Sequence, residues 1–115
     1  MLPSAGDIAW VELDPVRGTE QAGRRPAIVL SELSYNENSA RILICPISKR
    51  EPPWPFNVPL PSGMRSEGVV LVDQVRMVDR PTRLFRRIEK APPELLAEVR
   101  ARLMLLIGVQ PEDSR

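Results

Sequence analysis

Thirteen prolines are spread through these 115 residues, and they decide most of what the chain can become. Each fixes φ near one value and removes an amide donor, so long helices are broken and connections become short and stiff. One helix survives this filter, from about residue 92 to 107. Prolines at its start suit a first turn, where the amide has no partner anyway, and Glu94 favours the positive helix end. Leu96, Val99, Leu103 and Leu106 fall on one stripe, Gly108 stops the helix, and Pro111 bars its continuation. Residues 103–107 are apolar all round. A small domain has little surface to cover such a turn, so it is expected to meet a second copy in a homodimer, with burial inside the monomer as the competing reading.

The rest reads as strands. Residues 7–13 form the first, closed by Asp14-Pro15. A second runs through Ala27-Ile28-Val29-Leu30, a short apolar run of buried type. Residues 32–38 are polar and turn-rich, with room for one helical turn. The third strand, residues 41–47, is apolar on both faces, which implies burial between layers. Residues 56–60 give a short strand that its prolines confine to an edge or a bend. Residues 69–79 read as one long strand, with Asp73, Val75 and Met77 on one face and Gln74, Arg76 and Val78 on the other. That alternation favours Asp73 as a buried hydrogen-bonding residue over a base. Residues 84–90 give a last, arginine-rich strand. Several short strands and one terminal helix make a mainly-β fold, a small SH3-like barrel, and no linker or repeat divides residues 1–115.

The pivot of the chain is the stretch from Gly18 to Ser31. Its first part is a polar loop bounded by Gly18 and Gly23. Its second part is the apolar strand, and Arg24 and Arg25 stand between, with Pro26 holding Arg25 extended. A cation is thus anchored at the mouth of a strand, beside a loop carrying Glu20. That arrangement can hold charge against a phosphate.

Composition narrows the chemistry. There is no histidine, so imidazole acid–base catalysis and the commonest metal ligand are both missing. One cysteine, Cys45, permits neither an internal disulfide nor a Cys/His zinc site. No metal or cofactor is expected, and chemistry must rest on Arg, Lys, carboxylates, hydroxyls or backbone. The net charge is +1, but residues 41–90 carry ten Lys/Arg against five acids, while residues 1–40 carry three against six. The electropositive middle suits a phosphate-bearing partner, or is an ordinary solvated face. No signal segment opens the chain and no apolar run reaches the membrane-spanning length of about 18 residues, so a reduced, cytoplasmic protein away from membranes is expected.

Taken in order, Gly6-Asp7 with Trp10, the loop Gly18-Thr19-Glu20-Gln21-Ala22-Gly23, and Arg25-Pro26-Ala27 with Val29-Leu30-Ser31 resemble the MazF/PemK family of toxin endoribonucleases. Further matches are Tyr35-Asn36, Cys45-Pro46, Pro55-Phe56 with Val58, Gly68-Val69, Asp73-Gln74-Val75-Arg76, and a helix closing on Leu106-Ile107-Gly108. The pattern covers about residues 6–108, and its force lies in the order of its parts. The resemblance implies the fold of the MazF, CcdB and Kid plasmid toxins, a dimer, and sequence-specific cleavage of single-stranded RNA as an mRNA interferase. It also implies a cognate MazE-like antitoxin whose flexible acidic tail occupies the RNA groove, with operator DNA reached only through that antitoxin.

Metal-free RNA cleavage uses the neighbouring 2′-hydroxyl as nucleophile. Arg25 matches the family's catalytic arginine. A guanidinium stays protonated and binds two phosphate oxygens at once, so charge stabilisation is its role here. Ser48 stands where many members have threonine and keeps the hydroxyl donor. Glu20 is the nearest carboxylate for a base, and equally a loop partner for Arg24 or Arg25. In the Kid branch an arginine stands two positions before the matching Asp; here that position is Leu71, which favours an Arg25/Ser48 site. RNA recognition combines cations with flat surfaces. Candidates are Arg24, Gln21, Lys49, Arg50, Trp54, Gln74 and Arg76, with Asn36 for a base edge and Phe56 more simply a core residue. Two rivals are a gyrase-poisoning toxin of the same fold and a non-enzymatic SH3-like module. The former's Trp-Gly-Ile helix tip is replaced here by Ile107-Gly108-Val109.

Overall fold

The computed structural model describes residues 2–13, 18, 20 and 23–110. Apolar runs become antiparallel strands: β1 (Asp7–Glu12), β2 (Arg24–Val29) and β3 (Arg41–Ser48), with the short helix α1 (Leu33–Asn36) between the last two. There follow β4 (Asn57–Pro59), β5 (Val69–Leu71), β6 (Arg76–Asp79), the single helical turn α2 (Arg80–Arg83), β7 (Leu84–Lys90) and the long helix α3 (Pro93–Leu106). The sheet order is β4-β5-β3-β2-β1-β7, with β6 also paired to β3. This is the mainly-β architecture with a C-terminal helix that the short strands imply.

Strand β3 is the hub. Along one edge it pairs with β2, setting Ala27 opposite Pro46 and Val29 opposite Ile44. Along the other it pairs with β6 at Arg41 to Ile44 and with β5 at Ile47 and Ser48. Its alternating side chains feed two apolar clusters. Cys45 and Ile47 join Ile8, Ile28, Val70 and Val72, covered by Leu95 and Val99 of α3. Ile42 and Ile44 join Val11, Leu13, Ala27, Val29 and Val78. Burial on both faces is why β3 carries almost no polar residue.

Residues 69–79 do not form one strand. Val72–Gln74 makes a 3₁₀ turn between β5 and β6. Pairing with β3 moves from Ile47↔Val70 to Ile44↔Arg76, so partner numbers that sum to 117 before the turn sum to 120 after it. Three residues are inserted, and the inferred alternation fails at Asp73, which is exposed rather than buried. The break falls opposite Cys45-Pro46, and Pro46 has no amide to add to a ladder.

Helix α3 also sits differently from its inferred stripe. Leu95 and Val99, one turn apart, are its buried residues, with Leu96 and Leu103 packed at their flanks. Leu106 is 41% exposed. The helix therefore docks through its first half, and its last turn overhangs the sheet. It closes with the Val109 amide on the Met104 carbonyl at 2.7 Å and the Gly108 amide on that of Leu105 at 3.2 Å, around Gly108 at φ +85°. This double closure requires the left-handed backbone that glycine supplies. No helix among the described residues is long and apolar enough to cross a membrane.

Where β5 begins, Gly68 has φ +123°, and a Cβ there would stand 2.0 Å from the Ser48 carbonyl oxygen. No rotamer change relieves a clash with backbone. Gly68→Ala is expected to cost about 3 kcal/mol or more, read as a lowered urea midpoint at unchanged slope. A midpoint within error of wild type would show that β5 can back away from β3.

Candidate active site

Arg25 enters the sheet in the second position of β2, opposite Val11 of β1, and is half-buried. The β2–β3 register keeps partner numbers summing to 73. Continued two residues past its last pair, it sets Arg25 across from Ser48. Facing residues on antiparallel strands share a face, so this continuation sets Arg25 and Ser48 on the same side of the sheet.

Ser48 ends β3 and is 5% exposed. Its hydroxyl donates to the Glu51 carboxylate at 3.0 Å, with the Arg50 carbonyl at 3.3 Å. A hydroxyl has one proton, so a ligand oxygen receives it only by displacing these acceptors. Glu51 thus controls the availability of this donor, a role invisible in a run of charges and prolines.

Two neighbouring hollows share Asp73 and Gln74. One, of about 550 Å³, is lined by Glu20, Asp73, Gln74, Val75 and Arg76. The other, of about 350 Å³, carries Glu51, Trp54, Asn57 and Leu71 beside the same pair. The fold thus brings Glu20 and Trp54, from separate parts of the sequence, beside Gln74 and Arg76. Trp54 is 52% exposed, and its indole Nε1–H donates to Asp73 at 2.9 Å. That bond gives Asp73 its role: it orients an exposed aromatic face. Phe56, 5.9 Å from Trp54 between ring centroids, is half-buried against the core.

Other candidates are placed differently. Asn36 is fully buried, donating from Nδ2 to the carbonyls of Pro3 at 2.8 Å and Ser31 at 3.0 Å. It ties α1 to the amino-terminal segment and cannot meet a base edge, which corrects that expectation. Arg24 is exposed, with its guanidinium carbon 3.9 Å above the Phe85 ring. Lys49 and Arg50 are exposed just past β3. Gln21 lies outside the described residues. Cys45 is buried, and burial first, then the Asp73 charge, pushes its thiol up to about 12. It is not a nucleophile near neutral pH.

A third hollow, of about 700 Å³, is lined by Arg24, Arg25, Lys49 and Arg65 together with Trp10, Pro26 and Ile88. Arg65 escapes sequence reasoning because its loop is fixed from far away. The Glu89 carboxylate of β7 accepts the amides of Arg65 at 3.0 Å and Ser66 at 2.7 Å. Burial raises the Glu89 pKa, but the Ser66 hydroxyl, the two amides and the Arg65 charge outweigh it and hold the group below the usual carboxylate range. The Ser66 hydroxyl lies beside the carboxylate without the alignment of a full hydrogen bond.

A mainly antiparallel sheet with a C-terminal helix, and Arg24, Arg25, Lys49 and Arg65 lining one hollow, make a surface suited to an anionic ligand. Residues 4–107 match the model of the PemK-like, MazF-like toxin of type II toxin–antitoxin systems, and the chain belongs to that family. The endoribonuclease toxin MazF of Escherichia coli K12 is 39% identical over 107 residues, covering 93% of this chain and 96% of the relative. A crystal structure of MazF from Deinococcus radiodurans superposes with a TM-score of 0.90 at 40% identity, covering 95% of this chain and 99% of that one. MazF within a MazE–MazF complex from the same organism gives 0.82 at 36% identity, covering 96% and 99%.

The lowered Glu89 pKa sets a pH dependence. A carboxylate depressed in the folded state contributes stability that is present above its unfolded pKa, about 4.3 for Glu. That contribution is lost as pH falls through the lower folded value. The stability gap between wild type and Glu89→Gln should therefore be constant near neutrality and close below about pH 4. A gap that persists at pH 2.5 in urea titrations would contradict the clamp.

Proposed function

We propose that this chain is a sequence-specific, metal-independent endoribonuclease toxin that cuts single-stranded RNA and is neutralised by a MazE-like antitoxin. What carries the reading is the β2–β3 register, which, continued two residues past Ala27↔Pro46, sets Arg25 across from Ser48. Family membership and the named activities of the relatives support the same reading.

The ribose 2′-hydroxyl attacks the adjacent phosphorus and gives up its proton, the bond to the 5′-oxygen breaks, and that oxygen takes a proton. The products are a 2′,3′-cyclic phosphate and a 5′-hydroxyl. Negative charge builds on the non-bridging oxygens, where the Arg25 fork donates twice. Ser48 adds a third donor once its hydroxyl turns from Glu51 to the phosphate. Glu20 is the candidate base, standing with Gln74 and Arg76 around one hollow. Trp54 offers a stacking face to an unpaired base, and Lys49 and Arg50 meet backbone phosphates. An acidic antitoxin tail would compete for the same cations.

A single 2′-deoxy sugar at the cut position of an RNA oligonucleotide should abolish cutting there, and continued cutting would reject 2′-hydroxyl attack. Arg25→Ala should lower kcat by about 100- to 1,000-fold at unchanged melting temperature. Arg25→Lys should restore little of it, because an ammonium lacks the planar fork.

The overhanging end of α3 supports a homodimer. Leu105, Leu106, Ile107 and Val109 are 47%, 41%, 66% and 41% exposed, an apolar patch on one helix end. Ile107→Asp should shift the sedimentation coefficient to that of a monomer; an unchanged value would place the contact elsewhere.

A further inference from the structure

The hollow beside Arg25 carries more charge than the chemistry uses. Arg24, Arg25, Lys49 and Arg65 line it against one carboxylate, Glu67. Like charges repel, so such a cluster gains from something rigid that holds it in place. Two holders are visible. Arg24 is laid over Phe85 at 3.9 Å. Arg65 sits on a loop whose amides are gripped by Glu89 from β7, 24 residues away in sequence. Among the described residues, neither Lys49 nor Arg65 has a carboxylate within ion-pair distance.

We propose that this hollow is a subsite for the nucleotide next to the cut bond, with Arg65, set in place by the Glu89 clamp, binding that nucleotide's phosphate. The inference rests on the nuclease reading above and deepens it. Arg25 is among the residues lining the hollow, as are its strand neighbours Arg24 and Pro26, so the hollow opens directly beside the rim site. The volume of about 700 Å³ accommodates a nucleotide. Trp10, Pro26 and Ile88 add apolar lining that suits a ribose or base, and Arg24, Lys49 and Arg65 bring positive charge to the same hollow for its phosphate. Glu89 touches no substrate; it is a positioning residue, acting through the backbone of Arg65 and Ser66.

The test separates this subsite from the nuclease reading by measuring binding without turnover. The probe is a mixed-sequence 12-nucleotide RNA, 2′-O-methylated throughout, titrated by fluorescence anisotropy across a salt series. Arg65→Ala should weaken binding about tenfold and flatten the log–log salt slope by about 0.7, one phosphate's worth for a single strand. Arg65→Lys should keep the slope. Glu89→Gln should lose part of it while its neutral-pH fold, read by circular dichroism, stays intact. On a cleavable RNA, Arg65→Ala should raise KM and spare kcat, the mark of binding shared by ground and transition states. An unchanged slope and affinity in Arg65→Ala would overturn the subsite and leave the hollow to a carboxylate-bearing ligand such as an acidic peptide. A wild type that cuts no RNA yet shows the Arg65-dependent slope would overturn the nuclease reading alone.

Discussion

Strand β3 has neighbours on both edges and apolar packing on both faces, and the geometry of the whole surface follows from it. Its β2 edge fixes where Arg25 stands. Its opposite edge takes β6 and then β5, with a 3₁₀ turn between them that turns Asp73 outward to hold Trp54. Its last residue is Ser48. A one-residue slip of β3 would turn its two apolar sets inside out and move Ser48 to the other face of the sheet. Core packing therefore sets the register, and the register decides which face each rim residue takes.

Charge is arranged with the same economy. The buried Asp7 draws in Arg87 and Lys90 from β7 at 3.4 Å each, while Glu32 and Glu98 take Arg100 and Arg102 of α3. These are mostly exposed pairs and add little stability. Their effect is on distribution, since they occupy cations outside the hollow and involve neither Arg24 nor Lys49 nor Arg65. The modest net charge of +1 thus coexists with a strongly positive face.

What could be read from sequence was local. Apolar runs gave β1 to β3, and paired prolines before a leucine pattern ending in Gly108 gave α3. The order of Arg25, Pro26 and an apolar run foretold a cation at a strand mouth. What escaped depends on long-range pairing. Nothing near Asn36 announces that Pro3 and Ser31 will take its amide, and nothing near Arg65 points to Glu89. The broken strand was half-legible, because Pro46 marks where a partner strand cannot pair, but its partner had to be known first. Glu51 looked like one more loop charge until Ser48 was found donating to it.

Cys45 lies at the centre of the hub strand with no exposed surface. Because the chain has no other thiol, an alkylating reagent reacts at one place and only while that place is open to water. The rate of labelling under native conditions therefore counts excursions in which the middle of the sheet parts, independent of frayed ends. Ligands that lock the rim should slow that clock, and the same atom can report on partners whose own chemistry is silent.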